Sequence, residues 1–180
     1  VCLPVRNVKV KISCDGEILV KGKNLMQGYW KKPVIIKKTI INGWLHTGDL
    51  GEIDKKGRII ITGRKKDLII TSGGDNISGQ RIENILMSFN EISQAVVYGD
   101  SRPYLISLIK VTEGYDTNDL KRVLEMVNKN LNSIERIRKF IILDQEFSYE
   151  NGLMTQTMKV KRKNVLDFYK EQINKLYKSL

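Results

Sequence analysis

One short stretch of the sequence, HTGDLGEIDKKGRIIITGRKKDLIITSGGDN (residues 46–76), concentrates side chains that could bind a nucleotide. Asp49 follows Thr47 and Gly48 at the predicted end of a strand, where a carboxylate can accept two hydrogen bonds from a vicinal diol such as a ribose. Arg64 follows the next strand and could contact a ribose or phosphate oxygen. The alternative interpretations are structural: Asp49 could satisfy backbone N–H groups of a turn, and Arg64 could cap a hairpin.

Two glycines, Gly73 and Gly74, lie in the segment SGGDN, where glycine allows a positive φ and a close approach of the backbone to a ligand. The segment matches neither G-x-x-x-x-G-K-[ST] nor G-x-G-x-x-G, and neither pattern occurs elsewhere in the chain. A loop that simply precedes a helix is the alternative.

Lys159 lies in GLMTQTMKVKRK (residues 152–163), a Thr-rich, apolar-flanked loop before a predicted helix. An ammonium group presented there could stabilise negative charge on a carboxylate or a phosphate. Because 31 of the 180 residues are Lys or Arg, the residue type alone says little, and the setting of Lys159 distinguishes it.

Composition limits the classes of function. The net charge of +11 suits polyanionic small molecules such as ATP or coenzyme A, but no nucleic-acid module is recognisable, so no nucleic-acid partner is predicted. Cys2, Cys14 and the single His46 offer neither a zinc site nor a Ser-His-Asp triad, and no metal ligand is assigned. No apolar run is long enough to span a membrane, and the start reads as a strand, not a signal peptide. We expect a reduced, cytoplasmic setting.

Hydrophobic periodicity predicts an α+β fold in two parts. Residues 1–65 are β-rich, with hairpins predicted for NVKVKI with EILVKG and for LGEID with GRIIIT. They are expected to be the incomplete end of a larger N-terminal domain. Residues 66–180 are predicted to form a small α+β domain, with strands QAVVYG, YLISLIKV and KFIIL and helices near 82–89, 120–131 and 165–176.

Taken in order, these segments resemble the C-terminal third of AMP-forming acyl-CoA synthetases of the adenylate-forming superfamily, and most of all the long-chain fatty acid CoA ligases. GEILVKGKNLMQGYWKKP is similar to the family segment G-E-[IL]-x-x-x-G-x-x-x-M-x-G-Y, and GWLHTGDLGEID resembles its aromatic-x-x-T-G-D motif. GRKKDLIITSGGDNISGQRIEN resembles the hinge motif, and MTQTMKVKR resembles the closing T-x-T-x-K-[VIL]-[KR]-R motif. The resemblance covers essentially the whole chain, and the ordered set of four motifs is its strength.

The resemblance implies roles for residues of the first part. Asp49, supported by Thr47 and Gly48, would hold the ribose hydroxyls of AMP. Arg64 would be a further nucleotide contact. Lys66 would be the hinge about which the small domain swivels.

It also implies roles in the second part. Lys159 would be the catalytic lysine, and Glu83 would support the loop and helix after the hinge. The CoA channel would be lined by Ser72, Gly73, Gly74 and Asn76.

The implied reaction activates a fatty acid with ATP to acyl-AMP and then transfers the acyl group to CoA. Mg²⁺ is implied as a cofactor whose ligands lie outside this chain. The expected partners are the substrates and the missing N-terminal portion of the enzyme, which would carry the phosphate loop and the acyl pocket. Peripheral contact with a membrane is left open.

Two features keep alternatives open. Gly79 and Gln156 stand where the family usually has proline, which should loosen two loops. The chain alone is expected to be inactive, so a non-catalytic remnant and a nucleotide- or polyanion-binding module are the alternatives.

Overall fold

The computed structural model describes residues 2–178 and divides the chain into two compact units, Val1–Leu68 and Ile69–Leu180. The predicted domain boundary, between residues 65 and 66, lies three residues before this division. Because each unit has its own secondary structure, the two are treated one at a time.

The first unit is built on a five-stranded antiparallel sheet with strand order β1-β2-β4-β3, in which β5 also pairs with β4. Both predicted hairpins are present. In VKVKI the valines and isoleucine are half-buried and the lysines are exposed, as expected when a strand covers only one face. The strands are β1 (Val8–Ile12), β2 (Glu17–Gly22), β3 (Ile40–Ile41), β4 (Trp44–Ile53) and β5 (Ile59–Arg64).

A short helix, α1 (Pro33–Thr39), lies within this β-rich part and was not predicted. Pro33 occupies the first turn, where its fixed φ suits a helix and its missing N–H costs nothing. None of the α1 residues is buried. The sequence therefore carries no one-faced apolar pattern by which this helix could be recognised.

The second unit is an α+β domain around a three-stranded sheet of order β10-β9-β8. β8 and β9 are antiparallel, as predicted, and β10 joins β9 in parallel. A small hairpin of β6 and β7 precedes the first helix. The strands are β6 (Leu68–Ile70), β7 (Asn76–Ser78), β8 (Ile92–Tyr98), β9 (Leu105–Val111) and β10 (Ile137–Ile142); the helices are α2 (Gly79–Leu86), α3 (Thr117–Asn130), α4 (Arg162–Phe168) and α5 (Lys170–Lys178).

Side chains of β8 and β9 alternate between two hydrophobic cores. Ala95 and Val97 belong to the core that includes residues of α2 and α3, whereas Val96 belongs to the core that includes residues of α4 and α5. A sheet covered on both faces explains why these strands read as continuous apolar runs. Among the described residues, buried apolar side chains before residue 69 are limited to Ile18, Leu19 and Leu50.

The predicted C-terminal helix is in fact two helices, α4 and α5, interrupted at Tyr169. Tyr169 leaves the helical region with φ −95° and ψ 14°. Its N–H still donates to Val165 O at 3.0 Å, and its carbonyl accepts from Ile173 N at 2.9 Å. Because Val165, Tyr169 and Ile173 are all buried at four-residue spacing, the apolar period continues across the break and cannot reveal it.

In the part of the chain that the structure describes, none of the helices combines the length and the apolar character needed to cross a bilayer.

Candidate functional site

Thr47, Gly48 and Asp49 form a bulge inside β4, not the end of a strand as predicted. Strand pairing with β2 runs from Leu19–His46 directly to Glu17–Leu50, so β4 contributes extra residues at this point. Gly48 adopts φ +73°, which glycine reaches without strain. The bulge turns this part of β4 out of the regular ladder.

Side chains replace the hydrogen bonds that the bulge removes. Thr47 Oγ1 donates to Ile18 O at 2.7 Å and accepts from Asp49 N at 3.1 Å. Glu17 Oε1 accepts from Gly48 N at 2.8 Å. The loop geometry around Asp49 is therefore maintained by Thr47 and Glu17, and the Asp49 carboxylate projects from a fixed backbone.

Glu17 is a buried carboxylate. It belongs to one of the motifs in the sequence, but no role could be assigned to it from the sequence. Its side chain is 6% exposed, with His46 Nδ1 at 3.1 Å and Lys65 Nζ at 3.3 Å from Oε2. Burial is the largest influence on its pKa and opposes ionisation, but hydrogen bonds from His46, Gly48 and Lys65 together outweigh burial and lower the pKa. Glu17 is thus held as an anion beneath the bulge.

Lys65 also binds Asp15, whose carboxylate oxygen lies 2.5 Å from Lys65 Nζ. Hydrogen bonds from the Lys65 ammonium and the Ser13 hydroxyl lower the pKa of Asp15, and the carboxylates of Asp15 and Glu17 raise the pKa of Lys65. Lys65, the residue that follows Arg64, therefore links the end of β5 to the β1–β2 turn and to the start of β2.

Asp49 and Arg64 are paired across β4 and β5. They are directly opposed in the strand register, and Arg64 Nε lies 3.1 Å from Asp49 Oδ1. The Asp49 side chain is 26% exposed and that of Arg64 is 57% exposed, so both groups face solvent on one side. The structure thus brings together the two residues that were predicted to contact a nucleotide.

A surface cavity of about 390 Å³ lies beside this pair. Its lining combines the bulge with a run of three cations, and consists of Thr47, Gly48, Arg64, Lys65 and Lys66. Arg64 and Lys65 each contact a carboxylate, and Lys66 adds a further positive charge, so the cavity can attract an anion.

Lys66 is the middle residue of a single 3-10 turn, Lys65–Asp67, that follows β5. Its side chain is exposed. The turn lies next to the division between the two units, as a hinge residue requires, but swivelling at Lys66 remains a prediction.

The predicted channel loop is the turn of the β6–β7 hairpin. Thr71 closes it, since its N–H donates to Asp75 O at 3.1 Å and its carbonyl accepts from Gly74 N at 3.0 Å. Gly74 adopts φ +85°, and no atom lies within 4 Å of the position that a Cβ would occupy. Ser72 N donates to Arg102 O at 3.0 Å. Gly74 therefore serves the conformation of a tight, exposed turn.

Lys159 lies on a second tight hairpin. Thr155 N donates to Lys159 O at 2.8 Å, Lys159 N donates to Thr155 Oγ1 at 3.1 Å, and Met158 between them adopts φ +58°. The hairpin continues below with Lys161 N donating to Leu153 O at 2.8 Å. The Lys159 side chain is exposed at this turn.

Gln156 and Gly79 do not simply loosen their loops. Gln156 Nε2 donates to Tyr149 OH at 3.2 Å, a contact that proline at this position could not make. Gly79 is buried as the first residue of α2, where an added Cβ would come within 2.9 Å of Ile69 Cδ1.

Glu83 has a structural partner that sequence reasoning missed. Arg162 Nη2 lies 2.7 and 2.8 Å from the two Glu83 oxygens, and Val97 N donates to Glu83 Oε1 at 2.6 Å. Arg162 is the last residue of the closing motif MTQTMKVKR, and its place in that motif was the sign in the sequence that it has a role. Glu83 therefore binds the end of the Lys159 hairpin rather than the glycine turn.

The predicted site residues fall into three local groups. Thr47, Gly48, Asp49, Arg64 and Lys66 lie together in the first unit. In the second unit, the glycine turn forms another group, and Lys159 with the Glu83–Arg162 pair forms the third. Within residues 2–178, no group of three or more His, Cys, Asp or Glu side chains is arranged to hold a metal ion.

Comparison with known proteins identifies the class to which this protein belongs. The sequence profile of the AMP-binding enzyme C-terminal domain matches residues 66–180, which is more than half of the chain. The chain therefore belongs to the AMP-binding enzymes. Within that family it is similar to the long-chain fatty acid CoA ligases, as the resemblance of the motifs predicted.

A curated relative shows this similarity. The long-chain-fatty-acid–CoA ligase FadD15 of Mycobacterium tuberculosis is 35% identical over 198 aligned positions, which cover 97% of this chain and 33% of that protein. The chain spans about a third of the length of the curated relatives it matches.

Solved structures share the fold. The amide bond synthetase McbA from Marinactinospora thermotolerans is 25% identical with a TM-score of 0.78, over 93% of this chain and 35% of that one. The o-succinylbenzoate CoA synthetase MenE from Bacillus subtilis, in complex with its acyl-adenylate intermediate, is 26% identical with a TM-score of 0.71, over 90% of this chain and 34% of that one. MenE has also been solved with ATP and a magnesium ion.

Proposed function

We propose that this chain is the C-terminal third of an ATP-dependent ligase that converts a long-chain fatty acid into its acyl-CoA. In the first step a carboxylate oxygen attacks the α-phosphorus of ATP, and pyrophosphate leaves. In the second step the CoA sulfur attacks the acyl carbon, AMP leaves with the bonding electrons, and the thiol proton is released.

The observation that carries this proposal is the Asp49–Arg64 pair beside its basic cavity. Each charged group satisfies the other at 3.1 Å, and each keeps a solvent-exposed side. Asp49 can accept hydrogen bonds from a ribose diol while Arg64 contacts a ribose or phosphate oxygen. A merely structural pair would need neither the adjacent bulge nor the run of Arg64, Lys65 and Lys66 around the cavity.

Lys159 has the second role in the proposal. Its ammonium would neutralise the charge that develops between the attacking carboxylate and the α-phosphate, without transferring a proton. The hydrogen-bonded hairpin supports this role because it fixes the backbone on both sides of the residue.

For the second step, we propose that the second unit swivels at Lys66, so that Lys159 leaves and the 72–76 turn lines the path of the CoA arm. A hinge needs only one or two residues that absorb a change in backbone dihedrals. The exposed glycine backbone of that turn offers a surface without side chains to a narrow ligand such as pantetheine.

The substrates in this proposal are a fatty acid, ATP and CoA, and a cytoplasmic location follows from them. Mg²⁺ would arrive with ATP, and no residue of this chain is assigned as its ligand. The remaining elements of the site would come from the first two thirds of the enzyme. The relative FadD15 is longer than this chain by a corresponding amount, since the chain covers 33% of it.

The test is pyrophosphate release with ATP, magnesium, palmitate and CoA. The natural gene product that contains this sequence should release pyrophosphate and form palmitoyl-CoA. Residues 1–180 alone should do neither. Holding the triphosphate and the carboxylate in line supplies much of the rate, and the elements proposed to hold them belong to the first two thirds of the enzyme. A gene product that binds ATP but never releases pyrophosphate would support the binding-module alternative and overturn the proposal.

A further inference from the structure

Arg162 closes a small ring of charge-assisted hydrogen bonds around one residue of β8, Val97. Arg162 Nη1 donates to Val97 O at 2.8 Å, and Glu83 Oε1 accepts from Val97 N at 2.6 Å. Arg162 Nη2 joins the two side chains by binding both Glu83 oxygens, at 2.7 and 2.8 Å. The first residue of α4, a residue of α2 and the edge strand β8 are thereby tied together.

This ring is largely shielded from water. The Glu83 side chain is 5% exposed and that of Arg162 is 32% exposed. A carboxylate buried to this extent has a strong requirement for its cation. A guanidinium can donate to Glu83 and to Val97 at once because its N–H groups form a rigid, planar fork, and a lysine ammonium cannot reproduce that geometry.

The ring lies immediately after the Lys159 hairpin. Arg162 is three residues beyond Lys159, and the intervening residues are paired with the opposite arm through the Lys161–Leu153 hydrogen bond and the Met154–Val160 bridge. The opposite arm is fixed independently, since Leu153 and Met154 are buried in the core. The position of Lys159 is therefore set by apolar packing on one arm and by Arg162 on the other.

We infer that Arg162 is a positioning residue for adenylation: its ion pair with Glu83 holds the hairpin so that Lys159 meets the reacting carboxylate and phosphate. This inference rests on the proposed role of Lys159. It predicts that the ion pair matters in the half-reaction that uses Lys159 and not in the transfer of the acyl group to CoA.

The first test measures hydrogen exchange at single amides of the 180-residue chain. Arg162→Lys should increase exchange at the amides of Thr155, Lys159 and Lys161 by about tenfold or more, because fixing the hairpin end is what protects them. Amides of α3 should be unchanged. Arg122→Lys is the matched control, since Arg122 also pairs with a carboxylate, that of Asp119, but on the exposed surface of α3.

The second test measures the two half-reactions of the natural gene product, with Lys159→Ala as the reference. Arg162→Lys should lower kcat for acyl-AMP formation by about tenfold to a hundredfold, since small misplacements of catalytic groups have effects of this size. KM for ATP and the transfer step from supplied acyl-AMP should stay within about twofold, as in Arg122→Lys. Glu83→Gln provides a second variant that keeps the side-chain shape, in case Arg162→Lys folds poorly.

The outcomes separate this inference from the proposed function. If Lys159→Ala abolishes acyl-AMP formation while Arg162→Lys and Glu83→Gln leave it intact, the positioning role is wrong and the proposed function stands. Equal losses in both half-reactions, accompanied by a lower melting temperature, would show that Arg162 is only structural. If Lys159→Ala leaves acyl-AMP formation intact, the proposed role of Lys159 is wrong and the positioning role of Arg162 fails with it, while the proposed ligase function stands. That function fails only if the unaltered gene product forms no acyl-AMP.

Discussion

Asp49 and Arg64 face each other across β4 and β5 as directly opposed residues, with Arg64 Nε 3.1 Å from Asp49 Oδ1. Fifteen residues separate them in sequence, and the hairpin turn at 54–58 is what brings them together. The two residues, distant in the chain, thus form one cross-strand pair at the end of the hairpin that carries the bulge.

Asp49→Asn in the natural gene product should lower kcat/KM for ATP by about 10- to 100-fold, because a charge-assisted hydrogen bond to the ribose becomes a neutral one. Steady-state pyrophosphate release at varied ATP measures this. The matched control is Asp54→Asn, which alters another Asp–Arg pair, with Arg58, at the opposite end of the same hairpin. An equal loss in both variants would mean that the aspartates act only by stabilising the hairpin.

The Glu17–Lys65 interaction should make the stability of the first unit depend on pH. Folding lowers the pKa of Glu17 below its ordinary value of 4.5, so its contribution is complete above that pH and is lost as the pH falls through the folded-state pKa. Folding raises the pKa of Lys65 above its ordinary value of 10.5, so the lysine end contributes fully below that pH and is lost as the pH rises through its folded-state pKa. The two shifts share the Glu17–Lys65 contact, and that contact counts once. His46 and Gly48 also lower the pKa of Glu17, and Asp15 is the main cause of the raised pKa of Lys65.

Glu17→Gln should therefore destabilise the first unit by about 1 to 3 kcal/mol at pH 7, and by much less near pH 3. Tryptophan fluorescence during urea unfolding is the measurement, because both tryptophans, Trp30 and Trp44, lie in the first unit. Glu52→Gln on the exposed side of β4 serves as the control. A difference that does not change with pH would contradict the ionic role of Glu17.

Sequence reasoning succeeded where a side-chain period is matched to a buried face. The two hairpins of the first unit, the β8–β9 pair and α3 were all predicted from such patterns, and the structure confirms them. It failed for α1, which buries nothing, and at Tyr169, where the apolar period runs through a break. Periodicity reports burial, and it is silent where burial is absent or uninterrupted.

The candidate site shows the same limit. Asp49 and Arg64 could each be identified from their motifs as nucleotide contacts, and the structure brings them together. Glu17 and Arg162 could be recognised only as members of motifs. Their roles depend on partners that are distant in sequence. These partners are Gly48 and Lys65 for Glu17, and Glu83 for Arg162. Buried ion pairs between distant residues leave no local periodicity in the sequence.

Lys66→Pro should impair acyl transfer to CoA more than acyl-AMP formation. Proline fixes φ near −65°, which would prevent the dihedral change that the proposed swivel requires. Lys66→Ala is the matched control, since it removes the same side chain and leaves φ free; it should retain both half-reactions within a few-fold. Single-turnover assays of each step decide the matter. Equal behaviour of the proline and alanine variants would place the hinge elsewhere.

Lys159→Ala should reduce acyl-AMP formation by about 100-fold or more, because it removes a charge that acts in the transition state. Transfer from supplied acyl-AMP to CoA should be largely retained, since the lysine has no role in that step of the proposal. Lys163→Ala is the control: an exposed lysine close in sequence that lies on α4 and not on the hairpin. A parallel loss of both half-reactions in Lys159→Ala would exclude the alternating mechanism.

Residues 67–180 should fold cooperatively by themselves, whereas residues 1–62 should be poorly protected as a separate peptide. Both hydrophobic cores consist of residues after position 68, and the sheet of β8, β9 and β10 is covered by them on both faces. The first unit offers Ile18, Leu19 and Leu50 as its buried apolar side chains among the described residues, while Trp30 is 85% exposed. That amount of buried apolar surface is small for a sheet of five strands.

Hydrogen exchange on the 180-residue chain and on the two separate pieces measures the difference. The amides of β8 and β9 should exchange only through global unfolding and should be equally slow in the 67–180 piece. The amides of β2 and β4 should exchange faster by orders of magnitude, and equal protection in both units would show that the first unit is stable without further support.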